Sequence, residues 1–222
     1  VVVAVWDSGV DSSVFGAQVL RDSTGKALLT AFDKYSNPTQ TELEALPASA
    51  LSNLPRLIAR SKGLSDMQSN IDSPEASEVK QLLSSLKPQE FKTVIEELNL
   101  MGNYSHGTHV AGIALQGNPL ARLLIARLEF GHTLLPDPCP SREQAEKDAK
   151  ATAVYIDFFR KNKARVVNMS WGGSVSGVED ELEKCGIGKT PEERKAMARS
   201  YFSIMRDSLT QGFASAPEIL FV

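Results

Sequence analysis

The sequence predicts an α/β fold, a parallel sheet with helices on both faces. Three observations carry this. Short, near-continuous apolar runs rich in Val, Ile and Leu recur along the chain, as strands buried on both faces require. Segments of helical periodicity lie between them. Helix-start signals stand at the heads of two of those segments. Strands alternating with helices in this way build a parallel sheet. At 222 residues the chain suffices for one large domain, or one domain with a sizeable insertion, around a single core.

The elements follow in order. Val1–Trp6 and Ala27–Phe32 are the first two strands. The stretch from about Asn37 to Leu100 breaks the alternation and reads as an α-helical insertion. Its first part, marked by Leu43, Leu46, Leu51, Leu57 and Ile58, is a proline-broken helical stretch. Ser73-Pro74-Glu75 opens the next helix, with Val79, Leu82, Leu83 and Leu86 at i, i+3, i+4 and i+7; after Pro88 the spacing returns as Phe91, Val94, Ile95 and Leu98. Leu123–Leu128 is the third strand. Ser141 and Gln144 form a capping box, after which Ala145, Ala149, Ile156 and Phe159 share one helix face. Arg165–Met169 is the fourth strand. Thr190-Pro191-Glu192-Glu193 combines an N-cap, a proline at the first helical position and a glutamate at the third. Met197, Tyr201, Ile204 and Met205 give that helix its buried stripe, and Gly212 is its expected stop. Ile219–Val222 is the fifth strand. No fixed-period repeat or low-complexity tract interrupts this order.

Composition excludes several classes of function. With 24 basic and 27 acidic side chains the net charge is −3, without the dense basic footprint that nucleic acid or an anionic membrane demands. No apolar run approaches the roughly 20 residues that span a bilayer. Cys139 and Cys185 are too few for a disulfide scaffold and lack zinc-knuckle spacing, so they form one bridge or remain two thiols. There is no initiator Met and no signal peptide. The chain starts and stops inside apolar runs, so it reads as a piece of something longer.

Three short motifs stand where an α/β sheet places its site, at the carboxyl ends of strands. They are Asp7-Ser8-Gly9, His106-Gly107-Thr108-His109-Val110-Ala111-Gly112, and Asn168-Met169-Ser170-Trp171-Gly172-Gly173. Singly each has a plain structural reading. Asp-Ser-Gly suits a turn. His106 and His109 have the i, i+3 spacing of two metal ligands, yet no carboxylate or thiolate stands at a fitting distance in sequence, so no metal is assigned. His109 alone reads as a hydrogen-bonded buried histidine. Gly107, Ala111, Gly112 and Ala114 let a helix pack closely on a sheet, and Asn168–Gly173 is a strand end with its loop. A nucleotide-binding reading fails because no glycine-rich phosphate loop follows the first strand.

Taken together and in order, the three motifs resemble the subtilisin-like (S8) serine peptidases. The resemblance spans Val1 to Val222, apart from the helical insertion and the segment around Cys185–Gly188. It implies that Asp7 is the carboxylate and His106 the base of a catalytic triad. A serine hydroxyl needs a positioned base near neutral pKa, and the base needs a carboxylate to fix its tautomer. The resemblance also puts His106 at a helix N-terminus, whose dipole disfavours the imidazolium, with Asp7 offsetting it. Ser170-Trp171-Gly172 resembles the segment that pairs with the substrate backbone. Trp171 replaces a smaller aliphatic there and is expected to narrow the specificity pocket.

The departures are equally informative. The family's Gly-Thr-Ser-Met-Ala nucleophile motif does not occur in the sequence, and Ser174 and Ser176 belong to a loop after the wrong strand. The Ala-Ala-Gly-Asn turn that carries the oxyanion asparagine is expected directly after Ile219–Val222. Asp11 is not followed by the usual His-Pro. The resemblance therefore implies residues 1–222 of a catalytic domain truncated before its nucleophile, acting on peptide or protein substrates. An inactive peptide-binding module of the same fold is the alternative. Export to a secreted or periplasmic location and structural calcium also accompany the family, though no ligands for calcium are recognisable.

Overall fold

A computed structural model describes residues 1–222. Strands β1 (Val2–Asp7), β2 (Leu29–Phe32), β3 (Pro38–Thr39), β4 (Arg122–Leu128), β5 (Val166–Asn168) and β6 (Leu220–Phe221) form one sheet in the order β3-β2-β4-β1-β5-β6. All neighbours run parallel except the short β3, which lies antiparallel against β2. The five strands expected from apolar runs are all present. β3 was not foreseen, because two residues beginning with Pro38 carry no period.

Strand β1 is central, and the alternation of its side chains separates two cores. Val3 and Val5, with Leu123 and Ile125 of β4, face Val110, Ala111 and Leu115. Ala4 and Trp6, with Leu124, Ala126 and Val167, face Tyr155, Ile156 and Phe159. The first set of helical residues belongs to α4 (Pro88–Leu115) and the second to α5 (Arg142–Lys161), so helices cover both faces. Burying each such side chain contributes about 1.5–3 kcal/mol. α5 starts at its expected cap, where Ser141 Oγ accepts the Gln144 N–H at 3.0 Å. The second half of that capping box is absent, since the Gln144 side chain donates to Asp148 Oδ1 at 2.7 Å instead.

Helix α7 (Pro191–Ser215) opens on Thr190, whose Oγ1 accepts the Glu193 N–H. It does not stop at Gly212. A Cβ on Gly212 would lie 2.9 Å from Ile156 Cγ1 of α5, so this glycine permits close helix packing and the helix runs three residues further. Helix α6 (Val175–Lys184), where a loop was expected, is capped by Ser174 Oγ on the Gly177 N–H. Its apolar stripe of Val175, Val178 and Leu182 is short and broken by Gly177 and acidic residues. Cys139 and Cys185 form a disulfide with Cα atoms 6.0 Å apart, tying the segment before α5 to the end of α6.

The stretch between β3 and β4 is helical throughout its later part: α1 (Ala48–Ser52), α2 (Leu54–Gln68), α3 (Pro74–Ser85) and α4. Leu43 and Leu46 lie outside any helix. Gly63 of α2 is pressed on α3, where a Cβ would meet the Glu75 carbonyl at 2.2 Å. Leu57 of α2 and Met101 of α4 are buried together with Ala50. No helix is long and apolar enough to cross a membrane.

Candidate active site

Strand β1 delivers Asp7 to the carboxyl edge of the sheet, fully buried. Asp7 Oδ1 accepts the Ser8 N–H at 2.6 Å and meets His106 Nδ1 at 2.7 Å. The two residues are 99 positions apart in sequence, so the sheet and α4 together make the pair. The buried acceptor selects the Nδ1–H form of the ring. Nε2 is then the free basic nitrogen, on a side chain that is 45% exposed. The hydrogen bond to Asp7, and its negative charge, hold the His106 pKa above the usual imidazole value against the opposing effect of burial.

His106 does not sit at a helix N-terminus. It is well inside the 28-residue α4, beyond the first-turn reach of the helix dipole. Residues 99–105 contain no proline, and Gly102 alone costs only about 1 kcal/mol. Leu98 and Met101 anchor the helix before that point, and Val110 and Ala111 anchor it after. It therefore continues from the helical segment into the His106 motif without a break. Asp7, rather than the dipole, governs the ring.

The turn after Asp7 is clamped from both sides. Ser8 Oγ accepts the Gly107 N–H at 3.1 Å, and Thr108 Oγ1 accepts the Asp11 N–H at 3.0 Å. Opposite them, the Glu42 carbonyl accepts the Val10 N–H at 3.1 Å and the Glu42 carboxylate accepts the Ser12 N–H at 3.2 Å. Gly9 adopts φ +116°, and a Cβ on it would stand 2.3 Å from the Glu42 oxygen. Arg127, at the end of β4 and buried, donates to Thr41 Oγ1 and Glu129 Oε2. Its carbonyl accepts the Tyr155 hydroxyl. Sequence reasoning missed Glu42 and Arg127. Only Arg127 left a signal, a charge within an otherwise apolar strand.

The third motif also arrives at β1, in an orientation that corrects one expectation. Trp171 does not project into a substrate pocket. Its indole packs edge-on to Trp6 with ring centroids 5.2 Å apart, and Nε1–H donates to the Trp6 carbonyl at 2.6 Å. An amphipathic ring gains more by burying its face on an aromatic core and satisfying its one donor than by standing in solvent. Ser170 and Gly172 on either side are exposed. Residues 170–173 make no backbone hydrogen bond within the chain, which leaves their amides and carbonyls free for an added strand.

His109 is exposed rather than buried, since the turn of α4 carries its side chain away from the sheet. No group of three or more His, Cys, Asp or Glu side chains converges to hold a metal ion. The nearby serines are engaged elsewhere: Ser8 as above, Ser105 with the Met101 carbonyl, and Ser170 with Asn168 Oδ1. None is bonded to His106.

A model of the subtilase family matches residues 1–208 of the chain. Neither the curated proteins nor the solved structures give a match.

Proposed function

The chain belongs to the subtilase family, and we propose that it supplies the acid–base half of a subtilisin-like serine endopeptidase site. Serine peptidase function stands at the level of the family. The residue roles are our reading, and one observation carries them: a wholly buried carboxylate 2.7 Å from the Nδ1 of a half-exposed imidazole. In this reading His106 Nε2 takes the proton of a serine hydroxyl as the oxygen attacks the peptide carbonyl. It then returns that proton to the leaving amine. Asp7 holds the tautomer and stabilises the imidazolium without being protonated itself.

The main chain at Ser170, Trp171 and Gly172 receives the substrate as an added strand, a role supported by its unpaired amides and carbonyls. Residues 1–222 form part of a catalytic domain carrying a helical insertion at about 37–100. Neither the serine motif nor the oxyanion asparagine is among them. We therefore propose that these residues alone hydrolyse no peptide bond, since loss of one oxyanion donor already costs about 10²–10³ in turnover. The second reading is a peptide-binding module of the same fold without catalysis, holding a chain along the unpaired backbone of residues 170–172.

The gene product with its flanking coding sequence, assayed on a fluorogenic peptide, separates the two. Hydrolysis abolished by His106→Ala and by Asp7→Asn is the expected result, and hydrolysis retained in both variants overturns the role assignment. The 222-residue chain is expected to stay unlabelled by a fluorophosphonate. Stoichiometric labelling lost in His106→Ala would place the nucleophile inside it.

A further inference from the structure

Beside His106, helices α2 and α4 diverge to enclose a groove of about 860 Å³. We infer that this groove is a subsite for a polar stretch of the polypeptide substrate, an inference that rests on the peptidase reading above. Of the three sequence motifs only the second reaches it, through His106 and His109; the remaining lining lies outside them. One wall is α2 from Ile58 to Gln68 and the other is α4 from Leu98 to His109, with Gly131 between them.

Position is the first argument. His106 and the groove share the same face of α4, so a chain laid in the groove reaches the basic nitrogen without crossing another element. Size is the second. Ile58 to Gln68 covers about 15 Å of helix at 1.5 Å per residue, which matches four or five residues of extended peptide at about 3.3 Å each. A volume of this order is also that of a formed binding cleft.

Chemistry is the third argument and sets the class of ligand. Only 4 of the 16 lining residues are hydrophobic. Among the rest, Ser61, Ser65 and Gln68 of α2 offer hydroxyls and an amide. The Lys62 ammonium is already paired with Asp66 at 2.5 Å and Glu75 at 3.3 Å, so the α2 wall presents no unmatched charge. Such a surface rewards serine-, asparagine- and glutamine-rich segments, whose groups recover in the groove the hydrogen bonds they lose to water.

The walls are preformed. α2 is locked to α3 at Gly63 and to α4 through Leu57 and Met101. α4 holds the loop carrying Gly131: Asn103 Nδ2 donates to the Phe130 and Gly131 carbonyls at 3.1 and 3.3 Å, and Asn99 Nδ2 to His132 at 3.2 Å. Little ordering entropy is then lost by the protein on binding.

Gly102 supplies the test. It lines the groove from inside a helix, and a Cβ on it meets nothing within 4 Å. Gly102→Leu therefore projects into the groove from a Cβ that meets no neighbour, and Gly102→Ala leaves most of it open. Two fluorescein-labelled peptides of about ten residues, one rich in Ser, Asn and Gln and one rich in Leu, Val and Phe, are titrated with the 222-residue chain by anisotropy. The polar peptide is expected to bind more tightly, with Gly102→Leu weakening it about tenfold or more and Gly102→Ala about twofold at most. Preference for the apolar peptide, or unchanged binding by a folded Gly102→Leu protein, overturns the inference. If that variant fails to fold by circular dichroism, Ser65→Trp on the exposed opposite wall takes its place with the same criterion. The assay needs no nucleophile, so the two readings fail separately. Polar binding through the groove with a catalytically dead gene product removes the peptidase reading alone. Hydrolysis by a gene product whose groove variants bind normally removes the subsite alone.

Discussion

Gly107 of α4 lies so close to Gly9 of the β1 turn that a Cβ on Gly107 would stand 2.2 Å from the Gly9 carbonyl oxygen. This contact sets the spacing between helix and sheet one residue away from His106 and two residues away from Asp7. The 2.7 Å hydrogen bond between those two side chains depends on it, because neither side chain can stretch to cover a wider gap.

Gly107→Ala is accordingly expected to push α4 off the turn. Overpacking against backbone costs about 1–3 kcal/mol, and the gain in helix propensity offsets about 1 kcal/mol of that. A net loss of up to about 2 kcal/mol should appear as a lower urea midpoint. The His106 titration should move down as Asp7 recedes, which a purely global destabilisation would not produce.

The raised His106 pKa has a definite sign in stability. The folded state binds the imidazole proton more tightly than the unfolded chain, whose value is near 6.5. The Asp7–His106 contribution is therefore fully present below about 6.5 and is lost as the pH rises through the raised folded value. Asp7→Asn should flatten this part of the stability profile and lower the His106 midpoint in an NMR titration. A midpoint unchanged in Asp7→Asn would show that the carboxylate does not control the ring.

Trp171→Leu tests the orientation of the indole. The substitution removes the hydrogen bond to the Trp6 carbonyl, worth about 1 kcal/mol, and the edge contact with Trp6, worth about 0.5–1.5 kcal/mol. With the smaller volume added, the expected loss is about 2–4 kcal/mol, read from chemical denaturation. Cleavage preferences of the gene product should shift little, because the ring faces the core.

The Cys139–Cys185 bridge closes a loop with a sequence separation of 46. Double replacement by serine should cost about 2–4 kcal/mol and lower the melting temperature. The same loss is expected on reduction of the unmutated chain, whereas the serine variant should be indifferent to reductant.

Much of this molecule was legible in one dimension. The five parallel strands and Ser141 and Thr190 as caps rest on signals confined to a few adjacent residues, and the expected pairing of Asp7 with His106 rests on the resemblance that three such motifs carry in order. Apolar runs, a hydroxyl before a helix and short motifs in fixed order belong to that kind. What stayed hidden belongs to tertiary structure. Gly212 read as the stop of its helix, yet α7 passes through it because the glycine is packed against Ile156 of α5. Trp171 read as a pocket residue because its motif resembles a substrate-binding segment, whereas its ring is claimed by Trp6, 165 positions away. Glu42 carries no local mark at all, and it grips the β1 turn only because the chain returns there after β3. Local sequence decides which segments are helix or strand. The direction in which a side chain points, and the groove that two helices leave between them, are decided by contacts whose partners lie far along the chain.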